Sequence, residues 1–306
     1  MYLHEFKKVA LTNGAQSLMD ALATRVVIAD GAMGTMLQLE DFLGHEGCNE
    51  VLNSTRPDIV SSVHDAYFEA GVDCVETNTF GANWSNLSDY GIEDQIEELA
   101  RLGAQIARDS ADRFTAKDGK PRWVLGSMGP GTKLPTLGHT TYDNLKQTFA
   151  LQAKGLIAGG ADAFMVETSQ DLLQTKAAVN ACRLAIVESG VRLPIFVEVT
   201  VETTGTMLLG SEIGAALTAL EPLGIDMVGL NCATGPAEMS EHLRQLSKHS
   251  QIPVMVMPNA GLPILSGDGA LYPLSPSELA TAHEQFVKEF GLAMVGGCCG
   301  TTPAHW

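Results

Sequence analysis

The feature that most constrains this chain is an alternation of two kinds of segment. Short apolar runs occur at 25–31, 72–80, 123–129, 163–168, 194–200, 227–232, 253–259 and 292–298, each the length of a buried strand. Stretches with helical spacing separate them, at 59–71, 93–114, 142–159, 171–189, 212–223, 237–249 and 277–290. In the first, Val60, Val63, His64, Tyr67 and Phe68 recur at helical intervals; in the second, Ile96, Leu99, Leu102 and Ile106 share a face. Ser275 or Ser277 is placed to cap the last helix and Gly291 to stop it. Such alternation calls for parallel strands joined by right-handed crossovers. Eight units close a (β/α)8 barrel, whereas a doubly wound open sheet, the alternative, rarely uses eight so evenly spaced.

No linker-like or low-complexity block divides the chain, so 1–306 is expected to be a single domain. The eighth unit has a strand and no helix. The sequence stops at Thr301-Thr-Pro-Ala-His-Trp306, where a Thr cap and an early Pro would open one. The expectation is therefore a barrel truncated at the start of its last helix, a fragment of a larger multidomain protein with some apolar surface uncovered.

With 45% hydrophobic residues and a formal net charge of −17, the chain has ample core and a surface that repels phosphate. Neither nucleic acid nor an anionic membrane is an expected partner. No apolar run reaches the roughly 18 residues of a membrane span, and the first residues carry no apolar core of signal-peptide length. Six cysteines are spread along 306 residues, which fits reduced thiols in a cytoplasmic protein better than a disulfide framework.

Polar residues gather where the strands finish, the rim on which barrels of this kind carry their chemistry. They are Asp30, Glu76, Thr77, Asn78, Ser127, Glu167, Thr168, Asn231, Cys232, Asn259, Cys298 and Cys299. Neighbours on a regular strand face opposite ways, but Gly296, Gly297 and Gly300 around the cysteine pair let the chain kink there. Cys232, Cys298 and Cys299 at one mouth make a tetrahedral Zn2+ site with an open fourth position. Three thiolates leave the metal a weak Lewis acid that still binds and deprotonates a substrate thiol, which suits alkyl transfer onto sulfur. Cys74 and Cys182 read as small core residues and Cys48 as a loop bystander. His64 and His242 read as helix surface or core positions. Glu198 and Glu202 fit either barrel-mouth groups or solvated strand ends.

Six motifs together resemble the homocysteine S-methyltransferase family: Asp30-Gly-Ala-Met-Gly-Thr35, Glu76-Thr-Asn-Thr-Phe80, Gly126-Ser-Met-Gly-Pro130, Gly229-Leu-Asn-Cys232, Pro258-Asn-Ala-Gly261 and Gly296-Gly-Cys-Cys-Gly-Thr-Thr-Pro303. Gly47-Cys-Asn-Glu50 and Thr55-Arg-Pro-Asp58 look most like its cobalamin-dependent members, in which an N-terminal homocysteine-binding module precedes folate- and cobalamin-binding modules. The resemblance implies Cys232, Cys298 and Cys299 as zinc ligands and Asn259 beside the metal. It implies Glu167 and Asp30 as partners of the homocysteine amino group. The substrate carboxylate would lie near the Gly31 and Ala32 backbone with Thr77 or Ser127. It further implies a methyltransferase that makes methionine from homocysteine and methylcobalamin, with 5-methyltetrahydrofolate as the ultimate methyl source. Stand-alone members that use S-methylmethionine, S-adenosylmethionine or betaine share the cysteines, and a zinc-holding interaction domain is the non-enzyme alternative.

Overall fold

A computed structural model of the chain describes residues 5–39, 47–267 and 269–306. In chain order the strands are β1 (Val27–Ile28), β2 (Cys74–Glu76), β3 (Trp123–Met128), β4 (Ala163–Ser169), β5 (Ile195–Val199), β6 (Met227–Asn231), β7 (Val254–Met257), β8 (Ile264–Ser266), β9 (Gly269–Leu271) and β10 (Met294–Val295). All except the β8–β9 hairpin lie in one parallel sheet, in the order β1-β10-β7-β6-β5-β4-β3-β2. The gap between β1 and β2 is bridged by Ala29 and Cys74, and Asp73 N–H donates to Ile28 O at 2.8 Å. The result is the expected (β/α)8 barrel, nearly closed.

The helices are α1 (Asn13–Thr24), α2 (Met33–Leu39), α3 (Leu52–Thr55), α4 (Pro57–Ala70), α5 (Trp84–Asp89), α6 (Ile96–Asp118), α7 (Tyr142–Ala158), α8 (Leu172–Ser189), α9 (Ile213–Leu220), α10 (Pro236–His249) and α11 (Pro276–Phe290). The seven expected helices are present with small changes at their ends. Ser275 caps α11 in a reciprocal box with Glu278, and Gly291 ends it in a left-handed turn. Three differences stand out. The chain opens with α1, capped by Thr12, whose side chain accepts from Ala15 N–H. The stretch 259–276, between the seventh expected strand and the last expected helix, contains the hairpin. Of the stretch 39–57, between the first expected strand and the first expected helix, residues 40–46 lie outside the described residues and the rest includes α3.

Side-chain parity along the strands divides the core. Inward residues Val27, Ala29, Cys74, Trp123, Leu125, Met165, Phe196, Met227, Met255, Met257 and Met294 fill the barrel, and Leu18 and Leu22 of α1 plug its lower end. Outward residues Val75, Val124, Val166, Val197 and Val256 pack under the helices. On the outside of β1, Ile28 is 36% exposed, whereas Val295 beside it in register is buried. After β10 the chain makes one 3-10 turn, Pro303–His305, capped by Thr302, and Trp306 stacks on His283. No helix among the described residues is long and apolar enough to cross a membrane.

A repeated device aligns the strand starts. Asp73, Asp162 and Asp226 directly precede or open β2, β4 and β6, and each carboxylate takes a backbone N–H from the neighbouring strand. The acceptances are from Ile28, Val124 and Ile195, all at 2.8 Å. Asp73 also holds Arg25 through two hydrogen bonds of 2.7 and 2.9 Å, which clamps the β1–β2 closure.

The plug makes α1 part of the core. Leu18→Ala should destabilise the fold by about 2–5 kcal/mol, read as a lower midpoint in chemical denaturation. An unchanged midpoint would show that α1 does not seal the barrel.

Candidate functional site

Cys232, Cys298 and Cys299 reach one point from two strand ends. β6 stops at Asn231, and Cys232 and Ala233 adopt φ of 58° and 57°, the left-handed region that side chains resist. Backbone bonds hold this turn: Cys232 N–H to Met257 O at 3.2 Å, Thr234 N–H to Cys232 O at 2.6 Å and Asn259 N–H to Thr234 O at 3.1 Å. On the other side the chain leaves the sheet after Val295, three residues before the expected strand end. Gly297 N–H donates to Asp30 O at 2.9 Å and Cys298 N–H to Pro258 O at 2.8 Å, and Thr301 N–H closes the turn on Cys298 O at 3.1 Å. Cys298 and Cys299 thus sit on a turn, where adjacent residues need not face opposite ways. A Cβ on Gly297 would lie 2.6 Å from Thr301 Oγ1, so this approach requires glycine.

The three Sγ atoms lie within 4.8 Å of one another, with Cys232 and Cys299 at 3.9 Å. Tetrahedral zinc with Zn–S bonds of about 2.3 Å places its sulfurs about 3.8 Å apart, so the spacing fits that ion. All three are free thiols. S–H donation from Cys232 and Cys298 pulls the Cys299 thiol down to about 3, while bonds with Cys232 and with Cys299 push Cys298 up. Asn259 follows β7, is buried, and its Oδ1 has no hydrogen-bond partner. A buried carbonyl oxygen left open beside the cysteine turn, where Ala260 N–H donates to Cys299 O at 3.0 Å, is also the kind of donor a metal can use.

The cysteines open into a cavity of about 700 Å3. Of the sequence-predicted residues, Ala32, Thr77, Ser127, Glu167 and the three cysteines line it, whereas Asp30, Gly31 and Asn259 lie behind its wall. Ser127 Oγ donates to Glu167 Oε1 at 2.5 Å, and Asn231 Nδ2 approaches Glu167 Oε2 at 3.3 Å. Burial, then the Cys299 charge, hold the Glu167 carboxyl up at about 7 against the Ser127 hydrogen bond. Asp30 accepts the Glu76 N–H on both oxygens at 3.1 Å, yet burial pushes its carboxyl well above the usual range. Ala32 N–H is engaged with Thr301 Oγ1 at 3.2 Å, and Thr77 Oγ1 accepts from Ser127 N–H at 3.0 Å.

The bystanders are also placed. Cys74 and Cys182 are fully buried, and Cys48 is buried with its thiol donating to Glu50 Oε2 at 3.2 Å. His64 is a core residue and His242 is half-buried. Glu198 is fully buried inside the barrel and Glu202 is in the turn after β5.

Several contributors have no role assigned from sequence, which places Thr168 and Asn231 only at strand ends. Tyr272, just after β9, lines the cavity with its ring against Gly300. Thr168 takes φ of 56°, fixed by Asn231, whose Oδ1 accepts its N–H at 2.9 Å and whose Nδ2 donates to its Oγ1 at 2.8 Å. Thr301 ties Ala32 to Cys298 O. For Asn231 and Thr301 the available signal was their place beside the cysteine motifs.

Residues 27–306 match the family profile described as homocysteine S-methyltransferase. Methionine synthases of Mycobacterium leprae (strain TN) and Mycobacterium tuberculosis (strain ATCC 25618 / H37Rv) are each 64% identical over 293 residues, covering 94% of this chain. The chain spans 24% of the length of each. Among solved structures, the metallated form of the homocysteine methyltransferase MmuM from Escherichia coli superposes with a TM-score of 0.77 at 21% identity, covering 96% of this chain and 97% of that one. Its oxidised form gives 0.76 at 22%. At that identity the likeness is one of fold.

Asn231 holds both a left-handed residue and a buried carboxylate. Asn231→Ala should cost on the order of 1–3 kcal/mol, the scale for groups left unpaired, measured by denaturation. A cost near zero would show that the Thr168 turn is held by other contacts.

Proposed function

The chain belongs to the homocysteine S-methyltransferase family, and from that premise we propose that its barrel mouth binds homocysteine beside a zinc ion and presents the thiolate to methylcobalamin, giving methionine. The observation that carries this reading is the convergence of three sulfurs with the Glu167–Ser127 pair in one cavity. Cys232, Cys298 and Cys299 would hold the metal, with Asn259 Oδ1 available for the fourth position until substrate takes it. Zinc bound there would ionise the substrate thiol while leaving its sulfur electron-rich.

The protein's own groups orient the rest of the substrate. Glu167 has one oxygen fixed by Ser127 and the other near Asn231; its charge, with Asp30 behind it, would receive the ammonium. The substrate carboxylate would lie along Ala32, Thr77 and Ser127. Taking it on the Ala32 N–H requires exchange of the present bond to Thr301. Phe80, Leu137, Leu173, Leu208, Leu262 and Leu265 are exposed on segments that follow strands. This apolar rim suits a large partner surface over the mouth.

In this reading residues 1–306 form one module of a longer cytoplasmic enzyme. Its other modules would bring methyltetrahydrofolate and cobalamin, as the 64% identical relatives, about four times longer, suggest.

The reduced protein should hold about one zinc by elemental analysis. Cys232→Ser, Cys298→Ser and Cys299→Ser should each lose it, and Cys74→Ser and Cys182→Ser should retain it. Full retention by Cys298→Ser would sink the ligand assignment.

Free methylcobalamin should be demethylated by homocysteine on the zinc-loaded chain, slowly, because no tethered module raises its effective concentration. The readouts are methionine formed and the cobalamin visible spectrum. Robust turnover with S-methylmethionine and none with methylcobalamin would transfer the protein to the stand-alone class.

A further inference from the structure

Four carboxylates from four strands face the inside of the barrel below the mouth. Asp30 follows β1, Glu76 ends β2, Glu167 lies in β4 and Glu198 in β5. Glu198 is wholly buried and neither of its oxygens has a hydrogen-bond partner; its register neighbour on β6 is Gly229, which offers no side chain. Glu76 Oε1 is likewise sealed and unpartnered. Among the described residues no Lys, Arg or His lines the cavity. Among the described residues the other titratable groups around the cluster are Cys74 on β2, Cys232 after β6, Cys298 and Cys299 after β10, Tyr67 on α4, Glu50 before α3 and Tyr272 after β9. Every one is an acid.

Buried carboxylates without a counter-cation cannot all ionise. A metal ion does not fit among them: the cysteines are the group of three or more whose ligand atoms lie within 4.8 Å among the described residues. Neutrality must come from protons. Burial raises Asp30, Glu76 and Glu198 as it raises Glu167, and the carboxylates push one another further up.

We propose that Glu76 and Glu198 determine specificity for the substrate's ammonium by serving as a proton store. In the free protein the cluster keeps a carboxyl proton, and the entering ammonium replaces it. One carboxylic O–H bond breaks, its electron pair stays on the carboxylate, and the proton leaves to solvent. The substrate nitrogen keeps its three protons, so the buried charge is the same before and after. A thiol without an amino group leaves the proton where it is. The inference rests on the homocysteine reading of the site and adds a proton to it beyond the one lost by the thiol.

The sign of the pH dependence follows. The ammonium binds the ionised cluster, so protons compete with it. Burial raises all four carboxyls, so affinity for the amino-bearing ligand rises with pH through their raised range. It levels off once the free cluster has already lost the proton.

The test is calorimetric titration of the zinc-loaded chain with homocysteine and with 4-mercaptobutanoate, which lacks the amino group. Each is measured in buffers of different ionisation enthalpy between pH 6 and 9. Homocysteine should release up to about one proton more than the analogue at the low end of that range, and the excess should fall as pH rises. Glu76→Gln and Glu198→Gln should each reduce that excess at least twofold. Equal release by the two bound ligands at every pH would overturn this inference alone. An undiminished excess in both variants would overturn the assignment to Glu76 and Glu198. If homocysteine does not bind, the reading of the site falls and this inference with it.

Discussion

The mouth of this barrel depends on how the turn after β10 is tied down. Gly297 N–H reaches Asp30 O, Cys298 N–H reaches Pro258 O, Ala260 N–H reaches Cys299 O, and Gly300 N–H reaches Thr35 Oγ1. These four bonds join the cysteine pair to the segment after β1, to the segment after β7 and to α2. The sulfur cluster, the Asp30 segment and the Asn259 segment therefore move as one unit. Such over-determination is what lets Cys232, Ala233 and Thr168 persist in left-handed conformations that cost about 1–3 kcal/mol each in isolation. A small change in the turn would disturb the three cysteines and the carboxylate pocket together.

Much of the fold was legible because strand and helix periods differ and eight units leave few ways to close. The strand ends were not. The apolar runs at 25–31, 72–80 and 292–298 continue past the last ladder bond, and only the pairing partner shows where the chain turns into the mouth. The first helix precedes the strand-helix alternation and so lies outside its pattern, although Thr12 is a fair cap and Leu18 and Leu22 are one turn apart. The aspartates 73, 162 and 226 carry a real sequence signal, a Gly-x-Asp before alternate strands, whose purpose appears only with the register.

The site was legible in its chemistry and less so in its depth. Soft ligands at two strand ends pointed to one centre because cysteine has few other reasons to sit there. Sequence position puts Asp30 and Asn259 at the mouth, and they stand behind the wall, since it does not say how far a side chain reaches. Glu198 was undecidable from its own neighbourhood. Its parity with Phe196 turns it inward, and that follows only once Phe196 is known to face the barrel interior. Tyr272 was hidden in a stretch rich in Gly and Pro, where a short hairpin has too few residues to show a period.

The two acidic sets in the cavity differ in kind, and that difference organises recognition. Sulfur atoms about 4 Å apart suit a soft cation and exclude Mg2+ or Ca2+, which want oxygen. The carboxylates are spread too widely to cage a metal and are matched to a group that donates several hydrogen bonds from one positive charge. A ligand carrying both a thiol and an ammonium satisfies each set with the chemistry it prefers, and a ligand with only one leaves the other set to its protons. With no basic residue among the described residues of the cavity wall, positive charge is best supplied by what binds. The surplus of buried acid is thus a selection rule: it lowers the stability of the free mouth and favours ligands that bring the missing cation.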